Sequence, residues 1–282
     1  MVSIVDVYYY EADRYGDYIG SDNVENMSRD GFSALAAVNL DRGATCGAVV
    51  WQDCFSQDED ADGTELLFFD SDEYEAAMEL LQEFFAREEE NGGGRAYFEL
   101  SGISDEAKKA LSDSGFILKD TESRDIYCDL KDISNNKALR IKKLPEYVVP
   151  ISEIDDIQFR QGITKAVIAG NRGVESDLPT IPKDWFDQDV SCCIKNDNRI
   201  TGLVLVRKGM DEILMPVLLY SSGVEGPKEL MYMLSFAANA AEKEYGQSVM
   251  VRLRRHDEKT YKLVGYFCPG AKGENAIAGE RN

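Results

Sequence analysis

Two stretches, about 150 residues apart, decide how this chain is read: Ala110-Leu111-Ser112-Asp113-Ser114-Gly115-Phe116 and Tyr261-Lys262-Leu263-Val264-Gly265-Tyr266-Phe267. Each reads as the end of a helix. The glycine is expected to take the positive φ that closes the helix, and the aromatic residue to lead into a strand. Only the second carries a tyrosine four residues before its glycine; the first has Leu111 there. Two such endings point to a duplicated domain in which one copy has lost a chemical group.

The flanking sequence repeats too. Phe32 to Leu40 reads as a strand, Asp41 to Gly43 as a turn and Gly47 to Trp51 as the return strand. In the second half Val190 to Lys195, Asn196 to Arg199 and Gly202 to Val206 play the same parts. Short β-rich runs around Asn, Asp and Gly are what hairpins need. Downstream the first half gives a strand at Glu65 to Phe69, a turn at Asp70 to Glu73 and a helix from Tyr74 to about Glu89. Gly92 to Gly94, a strand at Ala96 to Leu100, a helix at Asp105 to Ser112 and a hairpin over Phe116 to Leu130 follow. The second half gives a strand at Glu212 to Tyr220, a turn at Ser221 to Gly226 and a helix from Pro227 to Tyr245 stopped by Gly246. Its stripe is Leu230, Met233, Leu234, Ala237, Ala238 and Ala241. A strand at Val249 to Arg254, the helix bearing Tyr261 and a last strand around Tyr266 to Cys268 complete it. At its front, Leu139 to Leu144 reads as a strand and Ser152 as the N-cap of a helix with Ile154, Ile157, Ile163 and Val167 on one face. Gly170 to Pro182 reads as a loop.

These elements place the chain in the α/β class, mixed α+β, as two tandem domains, each a central mixed sheet flanked by helices. The expected boundaries are 1–132 and 139–272, with 273–282 as a tail. The 282 residues suffice for two cores. No run of eighteen apolar residues is present, so no membrane span is expected. The N-terminus is soon acidic, unlike a secretory leader. The six cysteines lack C-x-x-C spacing and read as reduced and buried, as in a cytoplasmic protein. Vicinal Cys192 and Cys193 should point to opposite faces of one strand.

The net charge of −21 is unevenly spread. Residues 1–130 carry 9 basic and 31 acidic residues; residues 131–282 carry 22 and 21. The acidic first copy argues against nucleic acid, which needs a basic face. It reads either as a solvated surface or as a field that attracts a cationic substrate.

The order of hairpin, strand, glycine turn, long helix, strand and short helix, ending in Tyr261-Lys262-Leu263-Val264-Gly265-Tyr266, resembles the GNAT superfamily of N-acyltransferases. The likeness covers residues 145–270 well and 30–130 more loosely, as two tandem GNAT-like domains. It implies acetyl-CoA as cosubstrate, an amine acceptor (a small molecule or a protein, cationic if the acidic field is used) and no metal. A helix N-terminus suits a pyrophosphate because its backbone N–H groups are free and its dipole end is positive. The resemblance puts that turn at Ser221, Ser222, Gly223, Val224, Gly226 and Lys228. Glu225 adds like charge, and Pro227 removes a donor. An ordinary strand-to-helix turn is the competing reading.

By the same resemblance Tyr261 protonates the departing thiolate, and Glu212, near the start of the strand entering the turn, is the candidate base. A packed tyrosine and a solvated strand-edge glutamate are the plain alternatives. Lone His256 reads as a surface residue. The first copy's turn, Asp70 to Glu75, holds four acids and no glycine, so that copy is expected to be structural. Two functions remain: an N-acetyltransferase working in the second copy, or a degenerate GNAT-like protein used for binding or regulation.

Overall fold

Alternation of buried side chains organises the first sheet. In β2 (Phe32–Asn39), Leu35 and Ala37 point to one core while Ala34 and Ala36 point to another. A strand covered on both faces reads as a continuous apolar run, as β2 does. The computed structural model describes residues 1–29, 31–54, 63–90, 93–169, 178–197, 199–209, 211–223 and 225–281. Asn198, Val224, Gly92 and residues 170–177, on which some expectations fell, lie outside the described residues.

The chain divides into two units, Met1–Ser123 with Glu274–Asn282, and Arg124–Gly273. The expected tail therefore belongs to the first unit, and the boundary falls between 123 and 124. Unit 1 runs β1 (Val2–Asp6), short helices α1 (Gly16–Ile19) and α2 (Ser21–Asn26), β2, β3 (Ala44–Cys54), β4 (Gly63–Ser71), α3 (Tyr74–Glu90), β5 (Ala96–Ser101), α4 (Asp105–Asp113) and β6 (Ile117–Glu122). The last strand of the chain, β13 (Asn275–Arg281), completes the sheet in the order β1-β2-β3-β4-β5-β13-β6. Helix α3 lays Leu80, Leu81 and Phe84 onto one face, all fully buried. Each contributes roughly 1.5–3 kcal/mol by burial. α1 and α2 cover the opposite face through Ile19 and Val24.

Unit 2 contains β7 (Asp125–Asp129), α5 (Leu130–Ser134), β8 (Val148–Pro150), α6 (Asp156–Ile168), β9 (Cys192–Asn196), β10 (Arg199–Lys208), β11 (Leu214–Ser221), α7 (Gly226–Tyr245), β12 (Met250–Arg254) and α8 (Glu258–Phe267). The sheet order is β7-β12-β11-β10-β9-β8. Cys192 enters the core under α7 and Cys193 the core under α6, the opposite faces expected of strand neighbours. Gly162 of α6 lets that helix approach closely, since a Cβ there would meet Leu203 Cδ1 at 2.9 Å.

The sheets correspond strand by strand. β1 to β5 occupy the places of β8 to β12, and β13 beside β5 occupies the place of β7 beside β12. The halves thus exchange this strand: the end of the chain completes unit 1, and the strand that follows β6 completes unit 2. The hairpin expected over Phe116 to Leu130 is therefore not formed. β6 pairs with β13, and β7 pairs with β12. The cause is visible in β7, where Ile126 and Cys128 alternate into a core.

Other expectations shift. The first strand of unit 2 is β8, not Leu139 to Leu144. Leu139 ends a single 3₁₀ turn and is buried, while the basic run after it stays in solvent. α6 is capped by Asp155 in a capping box with Gln158, not by Ser152, whose hydroxyl donates to Asp189. Its buried face is Phe159, Gly162, Ile163 and Ala166, and Ile157 is exposed.

The largest correction concerns the opening motif. Gly115 does take positive φ (+91°) after α4, and Phe116 is buried. Gly265 instead lies inside α8, which runs on through Phe267. No strand forms around Tyr266 to Cys268. Phe267 is the buried residue and Tyr266 is exposed, so the helix must continue to bring Phe267 to the core.

Candidate functional site

β11 carries a one-residue bulge. Leu205 pairs with Leu218 and Val206 with Pro216, leaving Val217 as the extra residue. β4 has the same feature 150 residues earlier: Val50 pairs with Phe68 and Trp51 with Leu66, leaving Leu67. Bulges re-aim a strand and cluster beside functional sites. The parallel partner has already fallen away when the bulge is reached. Among the described residues β11 meets β12 at one register, Leu214↔Val251, and the strand continues to Ser221 outside that ladder. A strand edge released in this way offers its N–H and C=O groups to a ligand.

β11 then turns into α7. The structure brings Ser221, Gly223, Gly226 and Lys228 together there. The Gly223 N–H donates to Ser221 Oγ at 3.4 Å, and the Gly226 N–H to the Gly223 carbonyl at 3.0 Å. Ser222 faces away, its N–H and hydroxyl both donating to the Thr201 carbonyl of β10. Val224 lies outside the described residues. Lys228 donates to Glu225 at 2.8 Å, and that partner raises the lysine's pKa above its ordinary value.

Glu229, in the first turn of α7, is the residue that sequence reasoning missed. Its Oε2 accepts from Ser221 Oγ at 2.8 Å, and a Cβ built on Gly223 would lie 1.8 Å from the same oxygen. The carboxylate lies across the face of the glycine. Its position three residues after Gly226, at the positive end of a helix, was the available signal. The first-turn donors are engaged as well: the Lys228 and Glu229 N–H groups both reach the Glu225 carbonyl, and Pro227 has none. In this arrangement the turn does not fit a pyrophosphate, because a carboxylate occupies the place where an anion would approach. The covering group is the movable end of a half-buried side chain.

Tyr261 and Glu212 are not drawn into this turn. Tyr261 lies in the first half of α8, 45% exposed, with the Arg255 guanidinium 4.6 Å from its ring centre. The N-cap of α8 is Asp257, in a capping box with Thr260. Glu212 precedes β11 in a left-handed turn (φ 67°) and is ion-paired with Lys208. The eight-residue strand β11 lies between it and the turn, about 25 Å at strand rise. It sits at the far end of the strand from the turn. His256 is half-buried rather than on the surface, and burial, with Arg254 next, lowers its pKa to about 4.

The matching turn of unit 1 is closed by its own groups. Asp70 Oδ1 accepts the N–H groups of Ser71 and Ser104, both at 2.9 Å. Ser71 Oγ donates to the Cys46 carbonyl, and Gly47 is needed because a Cβ there would lie 2.7 Å from Ser71. Asp72 accepts from Tyr18 and Glu73 from Asn39, so three of the four acids are absorbed in structure. Among the described residues no cluster of His, Cys, Asp or Glu could hold a metal ion, and no helix is long and apolar enough to cross a membrane.

Two mixed α/β units, each with a bulged fourth strand parting from its parallel neighbour before a long helix, make up the fold that the GNAT resemblance implies. Solved structures agree. A tandem GNAT protein from the clavulanic acid biosynthesis pathway superposes with a TM-score of 0.61 at 9% identity, covering 100% of this chain and 98% of its own. A GCN5-related N-acetyltransferase from Sphaerobacter thermophilus gives 0.55 at 10% identity, covering 99% and 95%. One from Kribbella flavida gives 0.50 at 11%, covering 84% and 87%. No family model and no curated protein sequence matches the chain. The chain is a tandem GNAT-fold protein.

Proposed function

We propose that the chain is an N-acyltransferase that moves an acetyl group from acetyl-CoA to an amine, with its chemistry in unit 2. One observation carries the reading: β11 bulges at Val217 and leaves the β12 ladder after Leu214, opening a strand edge that leads directly into the N-terminus of α7. The donor, when bound, supplies an activated thioester. Ser221, Gly223, Gly226 and Lys228 are the residues around which its anionic part would be held, once Glu229 withdraws. Tyr261, exposed on α8, is the proton donor that the family resemblance suggests. Glu212, ion-paired with Lys208 at the other end of β11, is the base that the same resemblance suggests. The acidic surface of the first half favours a cationic amine, small or protein-borne, and the free cysteines suit a reducing compartment such as the cytoplasm.

Calorimetry with acetyl-CoA, on the parent and on Lys228→Glu and Tyr261→Phe, tests the proposal. Binding weakened by Lys228→Glu and preserved in Tyr261→Phe, with acetyl transfer lost in the latter, is expected. No binding by the parent at millimolar acetyl-CoA overturns it and leaves a GNAT fold used for binding or regulation. The closed state of the α7 turn is the observation that favours that second outcome.

A further inference from the structure

Five described cysteines are free and buried, and two of them face each other: Cys128 Sγ of β7 lies 3.2 Å from Cys268 Sγ at the C-cap of α8. Their relative exposures are 9% and 4%. Nothing in the proposed acyl transfer uses them. The two residues are 140 apart in sequence, yet each lies close to an end of unit 2, four residues after Arg124 and five before Gly273. Cys268 is followed by exposed Pro269 and Gly270, so it sits one residue from solvent at a helix end. Cys192 and Cys193, by contrast, are directed into opposite cores and cannot meet.

We propose that Cys128 and Cys268 form an oxidisable pair which a hydroperoxide converts to a disulfide, covalently joining β7 to the end of α8 and closing nearly all of unit 2 into one ring. The sulfur–sulfur approach is already shorter than a van der Waals contact requires, so only a small closing motion is needed to reach bonding distance. The pair is asymmetric. Either sulfur can donate across the contact, and Cys268 is the one that sits beside the exposed Pro269 and Gly270 at the helix end. Cys268 is therefore the sulfur that a peroxide reaches first, and its contact with Cys128 lowers its pKa.

Its sulfur takes one oxygen of the peroxide to give a sulfenic acid, and the O–O bond breaks with release of water or an alcohol. Cys128 then attacks the sulfenic sulfur, the S–O bond breaks and water leaves. Two thiols lose two electrons and two protons in all, and the peroxide takes up both. The bond would tie down α8, the helix that bears Tyr261, and would restrict the unfolded chain over a long loop.

The test uses the full chain, reduced, freed of reductant, treated with hydrogen peroxide and alkylated under denaturing conditions. The expected result is the loss of two alkylatable thiols and of two hydrogens in intact mass. Trypsin should release residues 125–131 linked to residues 263–272, with reversal by dithiothreitol and a higher melting temperature for the oxidised form. Cys128→Ser should leave a dimedone-reactive sulfenic acid at Cys268, and Cys268→Ser should leave none at Cys128. An unchanged thiol count, or a linkage through any other cysteine, overturns the proposal. Because the peptide map is made on the parent chain, a variant that fails to fold does not spoil the test.

Discussion

Replacing Glu229 by Gln removes one negative charge from the start of α7 while keeping nearly the same shape. Two effects of opposite sign follow from the geometry. The parent carboxylate accepts from Ser221 Oγ at 2.8 Å and sits in the helix's first turn, half-buried. Losing a carboxylate at a helix N-terminus costs about 0.3–1 kcal/mol, and weakening its hydrogen bond about 1 kcal/mol more. The variant should therefore be less stable by ~1–2 kcal/mol. For an incoming phosphate group the same change is favourable. A unit charge about 4 Å from a phosphate oxygen repels it by ~1 kcal/mol in bulk water and ~4 kcal/mol near a protein surface. Taking the lower part of that range, acetyl-CoA should bind about 5- to 30-fold more tightly to Glu229→Gln, and its affinity should depend less on the competing charge. Titration calorimetry with acetyl-CoA, beside a thermal melt of the same samples, separates the two effects. A merely damaged protein would lose both stability and affinity. If stability falls while affinity is unchanged or worse, the start of α7 is not where the donor's anion binds, and the reasoning about the turn is wrong.

Three further outcomes follow from the two units. His256 is held neutral, with its pKa lowered to about 4 by burial and then by Arg254, against about 6.5 when unfolded. Its contribution is thus intact above about pH 6.5 and is lost as pH falls toward 4, up to about 3 kcal/mol in all. Urea unfolding of the parent should weaken over that window more steeply than that of His256→Gln; equal slopes would refute the assignment. Deleting residues 274–282 removes β13 from between β5 and β6, where it pairs from Ala276 to Arg281 on one side and Asn275 to Glu280 on the other. Hydrogen exchange should then show β5 and β6 losing protection while β9 to β12 keep theirs, and unchanged protection of β5 would argue against the exchanged strand. Gly279→Val is the milder form: a Cβ there would meet the Phe98 ring at 2.4 Å, so overpacking should cost about 1–3 kcal/mol in a denaturant titration.

The strands and long helices were legible because their causes are local. β2, β3, β9 and β10 announce themselves by β-branched and small apolar runs around turn residues, and α7 by Pro227 at its start and Gly246 at its end (φ 81°). Strand partners were not legible. β6 and β7 are separated by two residues and look like a hairpin, yet Ile126 and Cys128 need one core while β6 needs β13, which arrives from the far end of the chain.

The glycine–aromatic ending failed for a related reason. A glycine permits a left-handed cap but does not demand one, and what ends a helix is where the next large apolar side chain must go. Phe116 follows Gly115 into the core of unit 1, whereas in α8 the core takes Phe267, two residues beyond Gly265. The caps give the better alignment. Ser104 caps α4 and Asp257 caps α8, 153 residues on, each accepting from the third helical N–H. At that offset Cys268 lies opposite Gly115 and Tyr261 opposite Lys108, not Leu111. The first copy thus has a lysine at the tyrosine's place, ion-paired with Asp120. The difference between the copies at this position is one of charge and not only of a missing hydroxyl. In unit 2 the carboxylate of Glu229 closes the start of α7 through Ser221, placed by the same preference for acids at a helix start that fills the turn of unit 1 with Asp70 and Asp72.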